Sequence, residues 1–151
     1  MLNPARPVLS ATSPTMSSDC AWPPSPTTSS VDEPLTMYIF VRRDLQSTLG
    51  WPGGSVISQA CHASTAVLHE ARDDPDVHEY LGALNSMHKV VFEAKDLAHL
   101  DKIARLFRES DMTIHAWEER PEMIRTAIAT KPYRRSTVAG VLKKCRVSLF
   151  K

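Results

Sequence analysis

Residues 51–69 read WPGGSVISQACHASTAVLH, a glycine turn that opens into the longest helix predicted for this chain. On a helical wheel of about 100° per residue, the apolar side chains fall into one broad sector. This sector is predicted to face the core: Val56, Ile57, Ala60, Cys61, Ala63, Val67, Leu68 and Ala71. The opposite stripe is polar and is predicted to be exposed: Ser55, Gln59, His62 and His69. Because the stripe begins beside the free backbone N–H groups of a helix N-terminus, it is a candidate site.

Chain length and charge limit the possible protein classes. A chain of 151 residues is long enough for one domain and too short for two comfortable ones. The formal net charge is +1, yet residues 120–151 carry nine Lys and Arg against one acidic residue, Glu122. This C-terminal basic patch favours a polyanion such as nucleic acid. An ordinary solvated helix and tail explains the patch equally well.

The cysteines and the apolar runs indicate where the protein resides. Cys20, Cys61 and Cys145 are odd in number and lack metal-type spacing, which implies a reducing compartment. No run approaches the roughly 18 apolar residues that span a bilayer, and no signal-peptide core is present. We therefore expect a soluble, cytoplasmic protein without a membrane partner. Residues 1–18 contain one arginine, several hydroxyls and no acid, so a mitochondrial transit peptide is the alternative.

The chain divides into a tail and one domain. Residues 1–34 hold seven of the eleven prolines and eleven Ser and Thr, so they are predicted to be disordered. Residues 35–151 form the predicted domain. Its strands are expected at 37–41, 89–93, 113–117 and 125–130, and its helices at 55–72, 76–85, 97–110 and 136–144. Residues 147–150 form either a short edge strand or a packed tail.

The order of these elements predicts a single α/β domain with a mixed four-stranded sheet and helices on both faces. Strand–helix–strand crossovers are right-handed and make their strands parallel. The third and fourth strands are joined too briefly for a crossover, so direct pairing between them is antiparallel. Ligands in such sheets bind beyond the carboxyl ends of parallel strands. Arg43, Asp44 and the glycine turn are expected there.

Several kinds of catalytic site can be weighed from spacing. The turn at Gly53 and Gly54 is not a P-loop, because no Gly-Lys-Ser/Thr follows. Ser55 and His62 lie about 10 Å apart along the helix axis, too far for an activated nucleophile pair. His62 and His69 have no carboxylate to complete a metal site, so neither metal nor other cofactor is expected. Glu118 and Glu119 are candidates for a general base, or else form a solvated charged turn.

Two segments together resemble one family. Residues 40–45, FVRRDL, precede residues 54–63, GSVISQACHA. This is similar to the archaeal/eukaryotic class of peptidyl-tRNA hydrolases, where a strand ending Val-Arg-x-Asp-Leu leads to Gly-Lys-x-x-x-Gln-x-x-His-Ala. The likeness covers roughly residues 36–151. The Trp-Pro-Gly-Gly turn and the ending Leu149-Phe-Lys151 resemble most the divergent eukaryotic branch called peptidyl-tRNA hydrolase domain-containing.

The resemblance implies metal-independent hydrolysis of the ester that joins a peptide to the 3′ end of tRNA. The residues expected to be catalytic are Gln59, His62 and either Glu118 or Glu119. The residues expected to bind substrate are Arg42, Arg43, Asp44, Gly53, Gly54 and Ser55. The expected partner is tRNA or peptidyl-tRNA, and a homodimer is left open.

Two departures from the family pattern bear on turnover. The family's lysine after glycine falls on Ser55 here, and its later aspartate falls near Glu118 or Glu119 in a shorter loop. Removing one preorganised donor of this kind costs about 3 kcal/mol of transition-state stabilisation. The alternative function is therefore a catalytically impaired module that binds tRNA or a protein on the same fold.

Overall fold

A computed structural model describes residues 33–151 of the chain. The predicted transit peptide, and the predicted disordered segment as far as residue 32, lie outside this range. The first two described residues, Glu33 and Pro34, fall within the predicted tail, and both accept hydrogen bonds from the domain. The Glu33 carboxylate accepts a hydrogen bond from the Ser136 backbone N–H at 2.9 Å. Contacts within the domain therefore begin at Glu33, two residues before the predicted boundary.

The domain consists of one mixed sheet and five α-helices. The strands are β1 (Thr36–Arg42), β2 (His88–Ala94), β3 (Ile114–Glu119), β4 (Ile124–Thr130) and β5 (Ser148–Leu149). The helices are α1 (Asp44–Ser47), α2 (Gly53–Glu70), α3 (Pro75–Gly82), α4 (Leu97–Glu109) and α5 (Arg135–Cys145), with a 3-10 turn at Leu84–Ser86. The strand order is β3-β4-β1-β2-β5. Strands β1 and β2 are parallel, while β4 pairs antiparallel with both β1 and β3.

The α/β class and the mixed sheet were predicted correctly, but the number of strands was not. The sheet has five strands instead of four, because β5 takes the edge-strand alternative left open for residues 147–150 and pairs antiparallel with β2. This strand has two residues, and the Phe150 N–H extends the contact by donating to the Val91 carbonyl at 3.0 Å. So short a strand has no alternating pattern of its own to identify it.

Strand β1 lies at the centre of the domain and is buried throughout. Its continuous apolar sequence suits a strand that is covered on both faces. Met37, Ile39 and Val41 pack in the core beneath α2. Tyr38 and Phe40 point to the other face and join the core formed with α4 and α5. Helix α2 therefore lies on one side of the sheet, with α4 and α5 on the other.

The orientation of α2 differs from the prediction. The helix begins at Gly53, with Pro52 as its N-cap, and not at Ser55. Ile57 was expected in the core but is 64% exposed, and Cys61 is exposed as well. The buried positions are Val56, Gln59, Ala63, Ser64 and Val67. The helix is thus rotated so that a polar residue, Gln59, faces the sheet.

Three smaller boundaries also differ, and one agrees. Glu118 and Glu119 belong to β3 and not to a turn. Helix α3 is capped by Asp74, which accepts from the Asp76 N–H at 2.9 Å, and it ends earlier than predicted. Helix α4 begins at residue 97 as predicted, and Asp96 caps it by accepting from the His99 N–H at 2.8 Å. Within residues 33–151, none of the helices combines the length and apolarity that a membrane span requires.

Candidate active site

Two adjoining grooves follow the side of α2 that faces β3. The first, here called the α2 groove, has a volume of about 470 Å³ and begins at the helix N-terminus. Its lining is formed by Trp51, Pro52, Ser55, Ser58, Gln59, His62, Glu119 and Glu122. The second, here called the β3 groove, has a volume of about 480 Å³ and is lined by His62 and residues 115–120. His62 and Glu119 line both grooves, so the two form one continuous surface.

Gln59 forms the floor of the α2 groove. Its side chain is 3% exposed, which corrects the prediction of an exposed polar stripe. The amide oxygen Oε1 accepts a hydrogen bond from Thr126 Oγ1 at 2.8 Å, and Nε2 donates to the Ser55 carbonyl at 3.3 Å. An amide NH₂ has two hydrogens, so one donor remains for a ligand in the groove.

His62 lies where the two grooves meet. Its ring stacks on the indole of Trp117, with centroids 4.6 Å apart and an angle of 21° between the planes. The Trp117 Nε1–H donates to Glu119 Oε2 at 3.0 Å. The same indole therefore supports the imidazole and fixes one carboxylate oxygen. The other oxygen, Oε1, is left for a water or a substrate.

The N-terminus of α2 is open to an anion. Pro52 makes no side-chain cap, and the first turn contains no acidic residue. The backbone N–H groups of Gly53, Gly54 and Ser55 therefore have no capping side chain. Together with the positive end of the helix dipole, such groups attract a phosphate or a developing oxyanion.

Arg42 and Asp44 form a paired unit at the end of β1. Arg42 Nε and Nη2 donate to the two oxygens of Asp44 at 3.0 and 2.6 Å, and Nη1 donates to the Arg125 carbonyl at 3.0 Å. The Arg42 side chain is 7% exposed. These bonds tie the end of β1 to β4. Because its guanidinium nitrogens are already hydrogen-bonded, Arg42 has little freedom to move onto a ligand. The substrate-binding role predicted for Arg42 and Asp44 stays a prediction.

Arg43 points away from the α2 groove. Its side chain is 63% exposed and lies 3.4 Å from the Glu93 carboxylate on β2. Glu119 is on β3, at the opposite edge of the sheet. The structure thus groups Gln59, His62 and Glu119 with the α2 N-terminus, and it does not bring Arg43 to them.

The C-terminal basic patch is partly neutralised and spread over the surface. Arg125 pairs with Asp101 at 2.7 Å, and Arg134 pairs with Glu79 at 3.2 Å. Burial opposes the charged form of Lys131, but hydrogen bonds to Asp76 and Asp74 outweigh it and raise its pKa. Lys143 and Lys144 lie on α5, across the sheet from α2. The lining of the α2 groove, within the part of the chain that the structure describes, includes two carboxylates and neither lysine nor arginine.

Neither metal ligands nor a cysteine nucleophile accompanies these groups. Among residues 33–151, the structure contains no cluster of three or more His, Cys, Asp or Glu side chains suited to a metal ion. Burial raises the pKa of the Cys145 thiol to about 11, which keeps it protonated at neutral pH. Cys61 is exposed, but it does not line either groove.

Several residues of the site were not predicted from the sequence: Pro52, Ser58 and Glu122 of the α2 groove, and also Trp51, Trp117 and Thr126. The sequence could have indicated Trp117. Residues two apart in a regular strand lie on the same face, and Trp117 comes two residues before the carboxylate Glu119. Thr126 carries little signal, since threonine is common in strands for reasons of shape alone. Trp51 directly precedes the glycines, so the sequence pattern indicates a turn residue there and not a groove residue.

The fold and the groove define an α/β protein whose candidate site lies between the N-terminus of α2 and the end of β3. A family model described as "Peptidyl-tRNA hydrolase PTH2" matches residues 35–148. The human and mouse proteins named "Putative peptidyl-tRNA hydrolase PTRHD1" are each 43% identical to this chain over 118 residues, which is 78% of this chain and 83% of theirs. The chain therefore belongs to the PTH2 peptidyl-tRNA hydrolase family, and the resemblance seen in its sequence is confirmed.

Proposed function

We propose that the protein hydrolyses the ester between a peptide and the 3′-terminal ribose of tRNA. Water adds to the ester carbonyl, and the bond between the carbonyl carbon and the ribose oxygen breaks. The products are a peptide with a free carboxyl group and a tRNA with a free hydroxyl. The observation that carries this proposal is the α2 groove, which gathers Gln59, His62 and Glu119 from two distant segments of the chain.

Each side chain of the groove has a role that fits its geometry. The unused N–H of Gln59 and the first-turn amides of α2 stabilise the oxyanion that forms when water attacks. Glu119 accepts the proton of that water, because Trp117 holds one of its oxygens and leaves the other for the nucleophile. His62 contacts the substrate at the junction of the grooves.

Charge limits which part of the tRNA enters the groove. Glu119 and Glu122 repel phosphates, so we assign the groove to the terminal ribose and the ester. The phosphates approach cations outside the groove. Binding through such contacts weakens as salt is raised, because counterions compete for the phosphates.

Release of peptide from peptidyl-tRNA tests this function directly. We expect Glu119→Gln to lower kcat by about a hundredfold or more, since glutamine retains a hydrogen-bond acceptor for Trp117 but cannot take a proton. Glu118→Gln is the matched control, with the same change one residue away. A loss confined to Glu118→Gln would move the general base to Glu118. No release by the wild type at high enzyme concentration would refute the proposed function.

One observation favours the alternative of a catalytically impaired binding module. The position of the family's lysine is Ser55, and no lysine or arginine among the described residues lines the α2 groove. Under this alternative, the protein binds tRNA in a salt-sensitive manner without releasing peptide. A binding assay run beside the release assay separates the two functions.

A further inference from the structure

The β3 groove follows the backbone of an edge strand. Strand β3 is at the end of the strand order and, within residues 33–151, pairs with β4 alone. The groove is lined by six consecutive residues, 115–120. Successive side chains of a strand point to opposite faces. Five of the six, residues 115–119, belong to β3, so a groove that contacts all five runs along the outer edge of the strand, beside its backbone.

The hydrogen-bond pattern shows which backbone groups face this groove. The Lys131 N–H donates to the Thr113 carbonyl at 3.2 Å, and the register continues with Ile114 opposite Thr130. Hydrogen-bonded and non-hydrogen-bonded pairs alternate along an antiparallel ladder. The backbone N–H and C=O of Ile114 and Ala116 therefore point away from β4. Ala116 lines the groove, whereas Ile114 lies just beyond it.

We propose that the peptide part of peptidyl-tRNA binds in the β3 groove as an added strand, hydrogen-bonded to the backbone of Ala116. This inference rests on the proposed function, and it assigns the peptide part of the substrate to a surface next to the α2 groove. The grooves share His62 and Glu119, so a peptide on β3 ends at the residues proposed to cleave its ester. At about 3.3 Å per residue, the edge from His115 to Glu119 accommodates about four residues of peptide.

Strand addition explains how the site accepts many sequences. Main-chain hydrogen bonds provide affinity in this mode, and they do not depend on the side chains of the peptide. A tRNA charged with a single amino acid has no peptide chain to pair with β3. The β3 groove therefore selects peptidyl-tRNA over aminoacyl-tRNA, in addition to any selection at the ester.

A pair of proline substitutions tests this binding mode. Ala116→Pro removes the N–H that faces the groove, and proline is tolerated on an edge strand when its nitrogen faces outward. Ile114→Pro removes the outward N–H on the same edge, outside the groove; because the Ile114 side chain also packs against the core, its binding is normalised to folded protein. The probes are two uncleavable conjugates in which 3′-amino-3′-deoxyadenosine is joined by an amide to a tetrapeptide or to one N-acetylated residue.

We expect the tetrapeptide conjugate to bind the wild type and Ile114→Pro about tenfold more tightly than the single-residue conjugate. Ala116→Pro should lose this difference while still binding the single-residue conjugate. Should Ala116→Pro fold poorly, hydrogen exchange provides the second measurement. The Ala116 amide of the wild type should exchange more slowly when the tetrapeptide conjugate is bound, and the Trp117 amide should change little.

Several results would overturn the inference. These are equal binding of the two conjugates, no binding of either, a tenfold difference that survives in Ala116→Pro, and unchanged exchange at Ala116. A wild-type dimer in sedimentation that Ala116→Pro dissociates would also overturn it, because a second copy would then occupy the edge. Hydrolysis of N-acetyl-aminoacyl-tRNA does not need the β3 groove, so that assay still reports on the proposed function if the binding mode fails.

Discussion

Thr126 on β4 donates a hydrogen bond to the amide oxygen of Gln59 on α2, with 2.8 Å between the two oxygens. Thr126 is 0% exposed and Gln59 is 3% exposed. The bond joins residues that are 67 positions apart in the chain, across the interface between the helix and the sheet. Burying a polar group without a hydrogen-bond partner costs folding free energy, and each of these side chains offsets that cost for the other. The bond therefore fixes Gln59 beneath the α2 groove.

Replacing Thr126 by valine tests this relationship. Thr126→Val keeps the shape of the side chain but leaves Gln59 Oε1 buried without its donor. We expect the free energy of unfolding to fall by about 1–3 kcal/mol, measured by urea denaturation. Peptide release should fall as well, because Gln59 is no longer held. Thr126→Ser keeps the hydroxyl and should retain more activity than valine; equal activity of the two variants would contradict this role.

The place of Gln59 shows what the sequence could and could not predict about the site. At about 100° per residue, Gln59 lies about 60° from Val56, within the sector that the structure buries. Its polarity nevertheless suggested an exposed position, because glutamine is seldom buried without a partner. That partner is on β4, and a distant pairing of this kind leaves no local pattern. Gln59 was first selected as a member of the predicted exposed stripe, whereas the family resemblance selects it without reference to its exposure.

The predictable parts of the fold are those with strong local patterns. The apolar run of β1 and the periodic apolar face of α4 each identify their element without reference to the rest of the chain. Glu118 and Glu119 have no such pattern, and their pairing with β4 makes them part of β3. Strand β5 likewise exists through its pairing with β2. Elements defined by their neighbours were therefore the ones predicted least well.

A lysine at position 55 should increase turnover. Ser55 is exposed at the N-terminus of α2 and lines a groove that contains Glu119 and Glu122. Ser55→Lys adds a cation where an anion is expected, and one well-placed donor is worth about 3 kcal/mol in the transition state. We expect kcat/KM for peptidyl-tRNA to rise at least tenfold. The helix should lose about 0.5 kcal/mol, because the cation opposes the helix dipole.

Ser58→Lys is the matched control for this gain. Ser58 lines the same groove one turn further along α2, so its lysine adds the same charge away from the first-turn amides. General attraction of tRNA would raise activity in both variants and would be lost at high salt. A gain confined to Ser55→Lys indicates a specific contact with the ester or the terminal phosphate. No gain in either variant would count against an anion site at the helix N-terminus.

The ion pairs of Lys131 should make stability depend on acid pH. Lys131 Nζ lies 2.9 Å from Asp74 and 2.6 Å from Asp76. The hydrogen bond from Lys131 outweighs burial and lowers the pKa of Asp74. A carboxyl group with a lowered folded-state pKa stabilises the protein above its unfolded pKa, and this stability is lost as pH falls through the folded value. Unfolding free energy should therefore decline below about pH 4.

Asp74→Asn measures the share of this acid effect that belongs to Asp74. The Asp74 side chain is 31% exposed, so solvent screening limits the loss at pH 7 to about 1 kcal/mol. The variant should also lose part of the decline at acid pH. Urea denaturation at pH 7 and pH 3 gives both values. A variant as stable as the wild type at pH 7, with an unchanged acid decline, would show that the pair contributes little.

The indole of Trp117 should affect catalysis through Glu119 and binding through His62, and two substitutions separate these effects. Trp117→Phe retains an aromatic ring beneath His62 but removes the N–H that donates to Glu119. We expect kcat to fall about tenfold with little change in KM, because the carboxylate loses part of its orientation. Trp117→Leu removes the stacked ring as well, so KM should rise in addition.

Normalising kcat to the amount of folded protein distinguishes positioning from simple loss of stability. Trp117 packs against the core beneath α2, so both variants should lower the unfolding free energy, leucine more than phenylalanine. A folded fraction that falls reduces the apparent kcat of both without changing KM. If activity tracks stability alone, normalising to folded protein restores wild-type kcat. If the kcat of Trp117→Phe stays low after this correction, the loss is due to the missing hydrogen bond to Glu119. Glu119 is the carboxylate that we place next to the attacking water.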